Sequence, residues 1–186
     1  ITGTLQAHAK GYGFLIPEKE GEKDVFIPSS FINGAMNGDK ILVQITREDK
    51  NGKKREGEVV QIIERGNTKI IGVYEDSRNF GFVVAEDTRI NQDIFVPKRD
   101  RNGAKDGDIV VVKITKWPDK RRSPEGEVIE VLGQKGDKGL DILTIIKKFG
   151  LPEEFPQKVL DYANTIEETI DEKEIKRRVD LRDVKM

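Results

Sequence analysis

Cysteine is absent from the 186 residues, histidine and tryptophan occur once each, and positive charge is not in excess. No apolar run approaches the ~20 residues that a membrane-spanning helix requires, so no membrane partner is expected. Without cysteine there is no disulfide, no thiol nucleophile and no thiolate metal site, which fits a reducing compartment. The single histidine, His8, lies in a strand-like run and is expected to have an ordinary structural role. The first ten residues lack the basic-then-apolar order of a signal peptide, so the expected location is the cytoplasm. A start at Ile1 is that of a fragment or processed chain. The phosphate loop G-x-x-x-x-G-K-[ST], the zinc helix H-E-x-x-H and the elbow G-x-S-x-G are all missing, and no catalytic residue is assigned. Lys and Arg total 33 against 34 Asp and Glu, and residues 137–186 hold ten basic against twelve acidic side chains. Affinity for a polyanion would therefore rest on local clusters.

What the chain does contain is an internal repeat. Gly11-Tyr12-Gly13-Phe14 matches Asn79-Phe80-Gly81-Phe82, and Asp24-Val25-Phe26-Ile27-Pro28 matches Asp93-Ile94-Phe95-Val96-Pro97. Downstream, Asn37-Gly38-Asp39 meets Asp106-Gly107-Asp108 and Gly57-Glu58-Val59 meets Gly126-Glu127-Val128, both at an offset of 69. A repeat of this length is a duplicated small domain, not a solenoid unit. β-Branched runs at 41–45, 59–63 and 109–114, punctuated by Gly, Asn and Asp, predict strands. The fold class is mainly β: two tandem five-stranded OB-type barrels followed by a short α-helical segment. The expected domains are residues 1–68, 69–136 and a helical linker over 137–186. Within that linker Ile142, Ile145, Ile146 and Phe149 fall at helical spacing, as do Val159, Ala163, Ile166 and Ile170, with Pro156 at the start of the second helix. A small barrel without a ligand has the same strand pattern.

Side chains alternate along a strand, so Tyr12 and Phe14 share one face while Gly13 and Leu15 share the other. Phe26 alternates with Val25 and Ile27. Phe80 and Phe82 oppose Gly81 and Val83, and Phe95 opposes Ile94 and Val96. Each barrel should therefore show three outward rings, and base stacking gives such rings a use worth ~1–3 kcal/mol per base. Basic residues recur between the fourth and fifth strands: Lys53, Lys54 and Arg55 in one copy, Lys120, Arg121 and Arg122 in the other. That connection is a binding loop of OB barrels. Lys10 and Arg78 precede the aromatic strands and are placed to meet phosphates.

At Lys10-Gly11-Tyr12-Gly13-Phe14 and Asp24-Val25-Phe26-Ile27 the first copy resembles a cold-shock domain. The second departs at Arg78-Asn79, and Pro28 and Pro97 stand where cold-shock proteins commonly have a histidine. Two such domains in tandem, then Trp117-Pro118, Arg121-Arg122-Ser123-Pro124-Glu125-Gly126, Glu130-Val131-Leu132-Gly133 and the stretch 147–156, resemble bacterial ribonuclease R. That family comprises processive 3′-to-5′ exoribonucleases related to ribonuclease II. The resemblance implies a single-stranded RNA partner and a catalytic domain elsewhere in the parent protein. Arg177-Arg178-Val179-Asp180-Leu181-Arg182 resembles the lead into that domain, so its Mg²⁺-binding aspartates are expected beyond Met186. Asp180 and Asp183 are expected to be linker. No cofactor is expected within residues 1–186, which should be inactive alone. A free-standing cold-shock-like RNA chaperone and a protein-interaction module are the competing readings.

Overall fold

Ten strands close into two barrels of five. The computed structural model describes residues 1–49, 54–119, 122–152, 154–166 and 172–179. The first barrel joins β1 (Thr2–Ala7), β2 (Gly13–Pro17), β3 (Val25–Ile27), β4 (Lys40–Glu48) and β5 (Arg55–Glu64) in the order β1-β2-β3-β5-β4. The second repeats it with β6 (Lys69–Asp76), β7 (Phe80–Ala85), β8 (Ile94–Pro97), β9 (Asp108–Lys116) and β10 (Glu125–Gln134). All pairings are antiparallel except one parallel contact per barrel, Phe26 beside Glu56 and Phe95 beside Glu125. The long β4–β5 and β9–β10 ladders each slip register at three points, and such bulges bend strands enough to close a small barrel.

Alternation fills the interiors. Leu5, Leu15, Val25, Ile27, Ile41, Val43 and Val59 pack the first barrel; Ile70, Tyr74, Val83, Ile94, Val96, Val110 and Val112 pack the second. Each such aliphatic side chain contributes roughly 1.5–3 kcal/mol on burial. Tyr74 takes the place of Leu5, since Leu5 pairs with Leu15 and Tyr74 with Val83. Its ring lies against Gly81, where an added Cβ would sit 2.4 Å from it. The Tyr74 hydroxyl donates to Asp76 Oδ1 at 3.2 Å, and burial first, then Asp76, raises its pKa above the ordinary value.

The loop before β4 ties the barrels together. Asp39 is fully buried and accepts from the Met36 N–H (2.8 Å), the Gly66 N–H (2.9 Å) and Arg65 Nη1 (2.8 Å). Arg65 also donates to the Gly34 carbonyl at 3.0 Å and lies over the Trp117 ring at 4.2 Å. Met36 packs into the second barrel's core, as does Trp117 in part. Asn33 and Gly34 both have positive φ, 48° and 76°, matched by Asn102 and Gly103 at 47° and 79°. This is the Asn-Gly chemistry of tight turns. At Gly34 a side chain is excluded twice, because an added Cβ would also fall 2.3 Å from the Pro118 carbonyl oxygen.

Helix α1 (Leu140–Phe149) packs on β6 and β10. Leu140 and Thr144 are its buried residues, and Lys147 reaches Glu130 at 2.8 Å. The stripe read from the sequence lies on the other side: Ile142, Ile145 and Phe149 are exposed and Ile146 is half-buried. The chain divides into two compact units, Ile1–Phe149 and Gly150–Met186. In the second unit α2 (Gln157–Ala163) starts after Pro156, as expected, but stops before Ile166. There the Thr165 hydroxyl donates to the Tyr162 carbonyl (2.6 Å), a local bond that competes with helix continuation. Ile170 lies outside the described residues. A third helix, α3 (Glu172–Arg177), was not anticipated from the charged sequence; Glu174 is bonded there by Arg177 (3.0 Å) and Arg178 (3.1 Å).

Asp39→Ala strands two N–H groups and a guanidinium and should lower stability by ~3–5 kcal/mol in urea unfolding. Asp108→Ala, which strands the Lys105 N–H and the Gln134 amide but no cation, should cost less. Tyr74 gives a pH signature. Its folded pKa is raised above 10.0, so its contribution is complete below pH 10.0 and is lost as pH rises through the folded value. One of the three tyrosines should ionise together with loss of circular dichroism, and Tyr74→Phe should break that link.

Candidate nucleic-acid interface

On β2 and β3 the inward positions are Gly13, Leu15, Val25 and Ile27, which turns Phe14 and Phe26 outward directly opposite each other. Their centroids are 5.5 Å apart, and Tyr12 lies 6.0 Å from Phe14 and 5.6 Å from Phe26. The second barrel repeats the triangle, with Phe80–Phe82, Phe80–Phe95 and Phe82–Phe95 at 5.3, 5.6 and 5.9 Å. Phe14 is 37% exposed and Phe80 36%, so each ring braces its neighbours while leaving part of its surface to solvent. Tilted and edge-on pairs at these distances contribute ~0.5–1.5 kcal/mol beyond burial. The six rings anticipated from strand alternation are thus assembled as two triads.

The cations are distributed less evenly. Lys54, Arg55 and Lys23 line an open hollow of about 490 Å³ beside Phe14 and Phe26, together with Asp24 and Glu56. Arg55 is committed to Glu48 through a 2.7 Å bond. Lys10 is exposed in the turn ahead of Tyr12. On the second barrel Arg78 is exposed, and its carbonyl accepts from Lys98 Nζ at 3.0 Å. Arg122 is exposed in a bridge with Asp119, two residues before Pro124, whose carbonyl accepts the Phe95 N–H at 2.8 Å. Lys53, Lys120 and Arg121 lie outside the described residues.

Sequence reasoning missed His8, Lys23 and Lys98. The His8 ring stacks on Tyr12 at 4.4 Å and 8°, adding a fourth ring to the first triad. The signal was the hairpin register: Ala7 pairs with Gly13, which sets residue 8 across from residue 12. The turn is closed by His8 N–H to the Tyr12 carbonyl and Gly11 N–H to the His8 carbonyl, both 2.8 Å. The Lys10 N–H donates to His8 Nδ1 at 3.2 Å. In the second barrel the turn is shorter and Ser77 faces Phe80, so no ring occupies that place.

Half-exposed aromatic faces rimmed by cations can stack planar bases and hold the connecting phosphates. Residues 3–62 match the family described as Ribonuclease B OB domain, and residues 82–156 match that described as Cold shock domain. Ribonuclease R of Acidithiobacillus ferrooxidans is 38% identical over 186 residues, which cover 99% of this chain and 42% of that protein. Ribonuclease R of Aquifex aeolicus is 38% identical over 98% of this chain and 25% of its own length. The chain is homologous to the tandem cold-shock and OB region of bacterial ribonuclease R. It spans less than half of those ribonuclease R chains. A solved structure of Mycoplasma genitalium RNase R in complex with ribose methylated single-stranded RNA shares the fold, with a TM-score of 0.78 at 20% identity over 94% of this chain and 28% of that one. Among the described residues no group of three or more His, Cys, Asp or Glu could hold a metal ion, so the Mg²⁺ that the ribonuclease R resemblance implies has no ligand set there. No helix among them is long and apolar enough to cross a membrane.

The stacked geometry predicts that the His8 ring protons resonate upfield in a ¹H–¹³C spectrum and return towards ordinary values in Tyr12→Ala. An unshifted His8 in the wild type would contradict the stack.

Proposed function

We propose that the chain is the single-stranded RNA-binding and guiding region of a processive 3′-to-5′ exoribonuclease that acts in the cytoplasm. Its domains are 1–68, 69–136 and a helical connection over 137–186 that leads to a catalytic domain in the parent protein. The observation that carries this reading is the pair of outward aromatic triads, built at the same place on two barrels. Tyr12, Phe14, Phe26, Phe80, Phe82 and Phe95 stack bases. Lys10, Lys53, Lys54, Arg55, Arg78, Lys120, Arg121 and Arg122 hold phosphates. Homology to ribonuclease R and the RNA-bound relative of the same fold support it. With a net charge of −1, stacking has to supply much of the affinity and the rim cations the salt-sensitive remainder.

This chain's residues bind and orient RNA; the Mg²⁺ of the parent enzyme would supply the charge that phosphodiester hydrolysis requires. Phe14→Ala with Phe26→Ala should weaken binding of a short unstructured RNA by at least ~1–3 kcal/mol, the worth of one stacked base. His8→Ala should cost less. Wild-type affinity should fall as salt rises, and 3′-labelled RNA should stay intact with Mg²⁺ present. Fluorescence anisotropy and gel analysis read both. Equal affinity of the folded double variant and the wild type would sink the stacking assignment, and robust cleavage by residues 1–186 would sink the division of labour.

A further inference from the structure

The two barrels enclose a cleft of about 470 Å³ that the aromatic triads do not account for. Its first wall is the turn at residues 8–11 and the segment 29–37; its second is residues 89–92 and 118–119. The barrels meet at two seams beside it. A Cβ on Gly11 would fall 2.9 Å from Asn91 Nδ2, and one on Gly34 would fall 2.3 Å from the Pro118 carbonyl oxygen. A space of this size exceeds what a water or an ion needs and lies within the range of small-molecule sites, ~300–1,000 Å³.

The lining is rich in amides, and it also includes the exposed Lys10 of the turn. Asn91 and Gln92 stand exposed on the second wall, facing a first wall that includes Ser29, Ser30 and Asn33. Asn33 donates through Nδ2 to Glu58 Oε1 (3.0 Å) and the Val59 carbonyl (2.8 Å), while its buried Oδ1 has no partner. Arg89 is gripped by Asp87 through Nε and Nη2, both at 2.8 Å, and the guanidinium holds that carboxyl below the ordinary carboxylate range. Lys10 at the turn is placed to meet the phosphate that links this position to the strand. The neighbouring donors and acceptors of the amide kind suit the edge of a nucleobase and the hydroxyls of ribose.

His8 links this cleft to the first aromatic face, because the same residue stacks on Tyr12 and lines the cleft. A strand lying along Phe14, Tyr12 and His8 is therefore delivered to the cleft's mouth. We infer that the cleft takes one nucleobase with its ribose, turned out of the bound RNA strand beyond His8, and that Asn91 and Gln92 read its edge. The inference rests on the RNA-binding reading above. It adds a base preference at one position of a surface whose rings accept any base.

Photocrosslinking with a short thiouridine-substituted RNA tests it on the whole chain. Mapping by mass spectrometry should find crosslinked peptides from residues 29–37 or 89–92 as well as from the strands bearing Phe14 and Phe26. The double variant Asn91→Ala, Gln92→Ala truncates two exposed side chains, and Gln92→Ala alone, which leaves the Gly11–Asn91 seam intact, should act in the same direction. It should cut the cleft crosslinks roughly fivefold, the effect of about one net hydrogen bond, and leave those on the aromatic strands unchanged. Crosslinks on the aromatic strands with none in the cleft, or cleft crosslinks that survive the double variant, would overturn the inference alone. Absence of all crosslinks in the wild type would overturn the RNA-binding reading with it.

Discussion

A carboxylate with no solvent exposure needs partners for its oxygens, and Asp39 finds them in two backbone N–H groups and one guanidinium. That need holds the loop before β4 against the end of β5 and aims Arg65 across the boundary between the barrels. The guanidinium serves the Gly34 carbonyl, the Asp39 carboxylate and the Trp117 face together. Removing the carboxylate would leave a half-buried cation and two unpaired donors, so the arrangement holds together as a unit. Asp108 occupies the same place in the second copy but has Gln134 in place of an arginine. Duplication thus supplied the loop twice, and only the first copy uses it to hold a neighbour.

The cleft lies beside that linkage. The seams at Gly11–Asn91 and Gly34–Pro118 set how closely the two barrels approach, and both rely on residues without side chains. The aromatic faces depend on less. They follow from strand parity, with small or aliphatic residues inward and rings outward, and they recur in both barrels because parity recurs. A near-neutral chain can bind a polyanion in this way, because stacking is indifferent to net charge and only the rim needs cations. The ribonuclease R chains that share this region are more than twice as long.

Much of the fold was legible before any coordinates. The repeat offset implied duplication, β-branched runs marked the strands, and the alternation of Phe14 with Leu15 or Phe95 with Val96 identified the outward faces. These are local properties: period two along a strand follows from backbone geometry, whatever lies nearby. Less local features were read differently. The α1 stripe of Ile142, Ile145, Ile146 and Phe149 marked an apolar face without saying what covers it; β6 and β10 take the side of Leu140 and Thr144 and leave that stripe outward. The α2 stripe extended to Ile166, yet the helix stops sooner, where a threonine bonds back to the chain.

His8 marks the boundary between the two kinds of information. One histidine in a strand-like run has no periodic signal, and it joins the rings only because the β1–β2 register carries it across from Tyr12. Composition and periodicity were enough to specify two barrels, their cores and the side on which the rings lie, since each depends on neighbours along the chain. The Asp39–Arg65–Trp117 tie, the cleft it adjoins and the exposed face of α1 join residues far apart in sequence. Their geometry is set by packing between elements, which no local pattern encodes.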